Sequence, residues 1–148
     1  MAYEYTIVRE VEWHHTDMAG IMHFSNFFRF MEAAEHAFFR SLGMSIDTTD
    51  PEPLGWPRVH VECDFRHPLR FEDSVEVHLL VREKRQKSLV YSFIFRKLNG
   101  DARREVARGT LAVACVKRDS ATGKLTAVPI PKAIADKIDA APAEAPGT

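Results

Sequence analysis

An α+β fold is predicted for this 148-residue chain from three observations. The segment from Ser25 to Leu42 carries apolar residues at helical spacing. Four later segments carry them at every second position. The order is one strand, one long helix, then a run of strands joined by short turns, which places a helix against an antiparallel sheet.

Residues 5–12, YTIVREVE, are rich in β-formers and read as the first strand. HHTDMAG follows as a turn. In SNFFRFMEAAEHAFFRSL, Ser25 or Asn26 is placed to cap the helix and Gly43 to end it. Phe27, Phe28, Met31, Ala34, Phe38 and Leu42 form one stripe. Phe30, Ala33, Ala37 and Phe39 widen it over most of the circumference, which predicts a buried helix. The stretch 44–57, with three prolines and a glycine, is a loop. Alternation then runs through Val59–Phe65, Val75–Val81, Leu89–Phe95 and Ala107–Cys115, giving four strands with one buried face each. Arg70–Asp73 is a plausible reversal, and Asn99–Gly100 in LNGDA signals a hairpin. VPIPKAIADKI, from Val128, reads as a short helix after a proline. The organisation is one domain over 1–138 and a flexible Pro- and Ala-rich tail over 139–148. A single helix leaves sheet edges and apolar surface uncovered, so an oligomer is expected.

Composition narrows the function. Twenty Lys and Arg balance twenty-one Asp and Glu, so no global basic field points to nucleic acid or membrane. Cys63 and Cys115 lie far apart in strand-like runs and read as small buried thiols in a reducing compartment, not a disulfide framework. No segment reaches the roughly 18 apolar residues of a membrane span. MAYEYTIVRE is not a signal peptide. The expectation is a soluble, cytoplasmic protein.

The informative stretch is EWHHTDMAGIMHFSNFFRFME, residues 12–32. Asp17 stands three residues before Gly20 and six before His23, at the mouth of an apolar segment. By itself this Asp is as readily a turn residue as a chemical group. His14, His15, Asp17 and His23 invite a metal reading. Adjacent histidines on extended chain point to opposite sides, however, and no further ligand cluster completes a site, so no metal is assigned.

Val11-Glu12-Trp13, then Thr16 through Phe27, then Phe30-Met31-Glu32, resemble the opening of the hotdog-fold acyl-CoA thioesterases. The branch is that of 4-hydroxybenzoyl-CoA thioesterase and the Tol-Pal-associated thioesterases. The resemblance extends over roughly residues 5–135, on the scale of a single domain. It implies a curved antiparallel sheet wrapped around one long helix, paired across subunits, with active sites at a dimer interface and often a homotetramer of two dimers. It also implies an acyl-CoA substrate whose coenzyme A is part of the substrate, with no cofactor or metal required.

A thioester hydrolase needs a group that activates or replaces water, an oxyanion donor and a dry pocket. Asp17 is assigned the first role, as nucleophile or general base. Gly20 allows the tight turn. The unpaired N–H groups at the helix start, from His23 and Phe24, are the candidate oxyanion donors. The His23 side chain is a second candidate, either as donor to the carbonyl or to orient Asp17. Many relatives carry Tyr where this chain has Phe24, so only a backbone role carries over there. Asn26 and Glu32 are supporting residues, and Glu35 and His36 read as structural. In REKRQK, residues 82–87, Arg85 and Lys87 match the basic turn that relatives set against the nucleotide phosphates, with Lys84 and Ser88 behind them. That turn is expected to serve a neighbouring subunit's site. Trp56, His60 and Glu62 are candidates for shaping the pocket. Two other readings stay open: a hotdog hydratase or dehydratase, and a non-catalytic acyl-CoA-binding module. The acyl group is not legible.

Overall fold

Alternating apolar residues build the sheet, and it takes up the helix on one face. The computed structural model describes residues 1–46, 53–100 and 103–146. In order the elements are β1 (Glu4–Glu10), a 3-10 turn (Trp13–His15), α1 (Ser25–Ser41), β2 (Leu54–Gly55), β3 (Arg58–Phe65), β4 (Ser74–Lys84), β5 (Ser88–Lys97), β6 (Arg104–Ala114), β7 (Val116–Arg118), β8 (Leu125–Ala127) and α2 (Lys132–Ala135). The main sheet has the order β1-β4-β5-β6-β3, and β2-β7-β8 form a small second sheet. Every strand pairing is antiparallel.

Val75, Val77, Leu79 and Val81 of β4, with Leu89, Tyr91, Phe93 and Phe95 of β5, form one core with Phe27, Phe30, Met31, Ala34, Phe38 and Phe39 of α1. Each such large side chain contributes about 1.5–3 kcal/mol on burial. Gly109 of β6 sets how closely α1 approaches: a Cβ there would lie 2.2 Å from Met31 Cε. α1 ends as expected at Gly43, whose φ of +77° suits a residue without a Cβ. The Met44 N–H donates to the Phe39 carbonyl across that end.

Several expectations are corrected. α1 is not buried all round: Arg29, Glu32 and Arg40 are exposed, because the sheet covers only one side. Neither Ser25 nor Asn26 caps it. The N-cap position is Phe24, which has no capping side chain. β3 does not bury its apolar face. Val59, Val61 and Phe65 are 61%, 41% and 49% exposed, because β3 is a sheet edge, paired on one side alone and only partly covered by α1. β5, by contrast, buries both faces, with Val90 and Ile94 buried beside the expected set. The loop 44–57 contains β2, and its residues 47–52 lie outside the described residues.

The short C-terminal helix follows Pro131. The segment after it is held at its start. Asp139 N–H donates to the Ala2 carbonyl, and Ala141 N–H to the Val81 carbonyl at 2.7 Å. Among the described residues no helix is long and apolar enough to cross a membrane.

Candidate active site

The chain between β1 and α1 folds back on itself as a clasp. Thr16 and Met22 form a bridge, and the Asp17 N–H donates to the Ile21 carbonyl at 3.0 Å. Gly20 closes the turn by donating to the Asp17 carbonyl at 2.9 Å, with φ +78°. That left-handed conformation explains a glycine here. Asp17 Oδ1 accepts from the Ala19 N–H at 2.8 Å, so the side chain does form a turn. Among the described residues nothing donates to its second oxygen.

The clasp is fastened to the helix. The His15 carbonyl accepts from the His23 N–H and from Asn26 Nδ2, both at 2.8 Å. Asn26 is buried and holds the loop without lining the Asp17 cavity. The His23 N–H is therefore occupied, which removes it from the oxyanion role. The Phe24 N–H meets no acceptor among the described residues. It stands at the positive end of a 17-residue helix, where an unpaired donor favours negative charge.

Asp17 and Phe24 open on one cavity of about 410 Å³. Ile21, Met22, Phe27, Phe65 and Leu69 give it apolar walls, and Arg66, His67 and Pro68 its remaining rim. Phe27 packs edge-on against Phe65 and Phe95 at 5.0 and 5.1 Å. A developing oxyanion in such surroundings is stabilised more per donor than in water. Residues 65–69 were not singled out in the sequence. Their only signal is their place at the end of a strand that follows the alternation rule.

The other candidates separate. The His23 ring, its Nδ1 2.8 Å from Ser25 Oγ, lines a second cavity and not the one Asp17 lines. Glu32 is exposed and pairs with Arg58 at 3.0 Å. Arg58 also holds Glu35, which is fully buried, at 2.6 Å. Burial pushes the Glu35 carboxyl above its ordinary 4.5, and Arg58 opposes this only in part. Among the described residues, neither Glu35 Oε2 nor the buried Tyr91 hydroxyl has a hydrogen-bond partner of good geometry. Trp56 is buried against Phe39 at 5.7 Å, and His60 and Glu62 pair with each other on the surface. None of the three lines the Asp17 cavity.

Of the basic turn, Lys84 is spent on the fold. Its Nζ donates to the carbonyls of Ala135 and Ile138 at 2.7 and 2.9 Å. Arg85 pairs with Glu83, Lys87 is exposed, and the Ser88 carbonyl accepts from the Arg85 N–H. Ser88 pairs with Ala114, beyond the Arg58 end of β3, whereas the Asp17 cavity sits at the Phe65 end. The seven steps of about 3.3 Å from Arg58 to Phe65 put the two about 23 Å apart. One chain does not bring them together.

The histidines do not gather around Asp17. Glu12, His14 and His15 place ligand atoms within 4.8 Å of one another. His15 Nδ1, however, already accepts the Glu12 N–H at 2.9 Å, and Glu12 pairs with His14.

The sequence profile of the thioesterase-like superfamily matches residues 11–138, and the chain belongs to that superfamily. Its fold is the hotdog fold, and its class is that of hydrolases acting on acyl-CoA thioesters. It is 32% identical over 79 residues to the 1,4-dihydroxy-2-naphthoyl-CoA hydrolase of Parasynechococcus marenigrum (strain WH8102), covering 48% of this chain and 52% of that enzyme. The match thus spans about half of that relative's length. A gentisyl-coenzyme A thioesterase structure superposes with a TM-score of 0.73 at 27% identity, covering 88% of this chain and 98% of the other. A 4-hydroxybenzoyl-CoA thioesterase variant complexed with 4-hydroxybenzoyl-CoA gives 0.80 at 20% identity, covering 92% and 99%.

Proposed function

We propose that this thioesterase hydrolyses aroyl-CoA esters, with Asp17 as nucleophile or general base and the Phe24 N–H as oxyanion donor. One observation carries the reading. Asp17, with a carboxylate oxygen to spare, and Phe24, whose helix-terminal N–H is unpaired among the described residues, line the same aromatic-walled cavity. As nucleophile, Asp17 adds to the acyl carbon, the C–S bond breaks, and water then cleaves the acyl–Asp17 anhydride. As base, it takes a proton from the attacking water and passes it to the departing sulfur. Both routes place negative charge on the former carbonyl oxygen, opposite the Phe24 N–H. Gly20 and Asn26 act as positioning residues through the clasp. Glu32 pairs with Arg58 outside this cavity and has no direct part in it.

The aromatic walls of Phe24, Phe27 and Phe65 favour a flat ring, and the names of the relatives cite aroyl-CoA substrates. The coenzyme A phosphates fall to Arg85 and Lys87 of a second copy. Antiparallel pairing of the exposed β3 edge with its twin exchanges the two ends of that strand. It covers Val59, Val61 and Phe65 and carries one copy's basic turn toward the other's Asp17. A homodimer is thus the working unit, with a homotetramer as the next level of assembly, in the cytoplasm, where Cys63 and Cys115 stay reduced.

Free-thiol release from a panel of aromatic and aliphatic acyl-CoAs tests this, with wild type and Asp17→Asn side by side. Asn keeps the turn-forming oxygen and removes the charge, so the variant is expected to fold and fail. Preference for aliphatic esters would reject the aroyl assignment, and full activity in the variant would reject Asp17.

A further inference from the structure

The clasp has a second side. Opposite the Asp17 cavity lies one of about 590 Å³ lined by Arg9, His15, His23, Ser25, Asn26 and Arg29, with His14, Thr16 and Phe30 completing the wall. Among the described residues no carboxylate lines it. Neither guanidinium pairs with an acid among the described residues. Arg9 lies over the Phe30 ring, 5.1 Å from its centroid, which orients the guanidinium without neutralising it. Glu12, which adjoins the cavity through His14, is engaged with that ring at 2.7 Å.

The two inner histidines present a fixed donor. His15 Nδ1 accepts the Glu12 N–H, so the proton of the neutral ring sits on Nε2. The Ser25 N–H approaches His23 Nδ1 at 3.3 Å and the Ser25 hydroxyl at 2.8 Å, which places the His23 proton on Nε2 as well. His15 is only 5% exposed, and its Nε2–H meets no acceptor among the described residues; the ring lines the cavity, so this donor is available there. Burial first, then the charge of His14 and, more weakly, those of Arg9 and Arg29, hold the His15 pKa below its ordinary 6.5 against the opposing Glu12 carboxylate, which favours the neutral ring near pH 7.

From the uncompensated guanidiniums, the oriented Nε2–H donors and the absence of any lining carboxylate, we infer that this cavity binds a phosphate group. Two arginine forks match phosphate oxygens in a bidentate manner, and neutral imidazole N–H groups complete the shell. The phosphate belongs either to a small free anion or to a phosphate of the substrate's nucleotide that Arg85 and Lys87 of the second copy leave uncovered. Both have the same chemistry at the cavity, and occupancy braces the clasp that carries Asp17, since His15, Thr16 and His23 belong to both.

The test is the thermal midpoint of the full chain titrated with inorganic phosphate, against sodium chloride at equal ionic strength. Wild type is compared with Arg29→Ala, an exposed helix position, and Arg9→Lys, which keeps the charge and loses the fork. Phosphate is expected to raise the wild-type midpoint beyond chloride. Its affinity is expected to fall about tenfold or more in Arg29→Ala, as for loss of one charge-assisted contact. Equal responses to phosphate in wild type and both variants, or to phosphate and chloride in wild type, would overturn the inference. A second arm separates the sources. A rise in KM for acyl-CoA but not for acyl-pantetheine in Arg29→Ala assigns the phosphate to the substrate. An unchanged KM, with the phosphate response lost, assigns it to a free anion.

Discussion

Asp17 and Glu35 are carboxylates on adjoining segments, and they have opposite fates. Asp17 sits half-buried at the rim, held by one turn hydrogen bond, with an oxygen to spare. Glu35 lies inside the core, fixed by Arg58 and beside Tyr91. Lys87 and Lys84 repeat the contrast among the cations: one is free at the surface, the other spent on two carbonyls. A charged group drawn inward is used up by the fold, and one kept at a rim stays available to a ligand.

The largest test of that contrast is Asp17→Asn. It should lower kcat about 1,000-fold or more, as for loss of a general base or nucleophile. Its urea midpoint should stay close to wild type, because the Ala19 N–H keeps its acceptor. Arg58→Ala is the mirror image. It strands the Glu35 charge and should cost about 3 kcal/mol in urea unfolding. The pH profile sharpens this. The folded chain keeps the Glu35 proton to higher pH than the unfolded chain does. Stability therefore falls as pH rises from about 4.5 through the folded value. Glu35→Gln should flatten that slope.

Gly20→Ala should cost about 1–2 kcal/mol, since φ is positive there, and should lower activity through the clasp. Thermal melts and thiol release read the two effects separately. The smallest effect belongs to the lysines. Lys84→Ala should cost about 1 kcal/mol with KM for acyl-CoA unchanged, whereas Lys87→Ala should raise that KM and leave stability alone. The reverse result would dissolve the distinction between spent and available charge.

The helix, the four long strands, the Asp17–Gly20 turn and the stop at Gly43 were legible because each is written in local spacing. What was not legible depends on distant partners. Nothing in REKRQK reveals that Lys84 reaches Ala135 and Ile138, some fifty residues away. The alternation of Val59, Val61 and Phe65 matches that of buried strands, and only the sheet order makes β3 an edge. His23 was legible as a candidate but not in direction, since its partner Ser25 also looked like a cap. Arg66 and His67 carry no motif, and they reach the rim only because β3 ends there.

The clasp from Glu12 to Asn26 binds its own ends through the His15 carbonyl, so Asp17 and the Phe24 N–H are carried as one piece. The opposite wall, Phe65–Leu69, comes from another part of the chain and meets the clasp through the Met22 N–H to Leu69 carbonyl bond. On the proposed assignment, the reacting groups and the wall that faces the acyl group thus belong to separate stretches of chain. Changes at residues 65–68 would then reshape the cavity without disturbing the clasp.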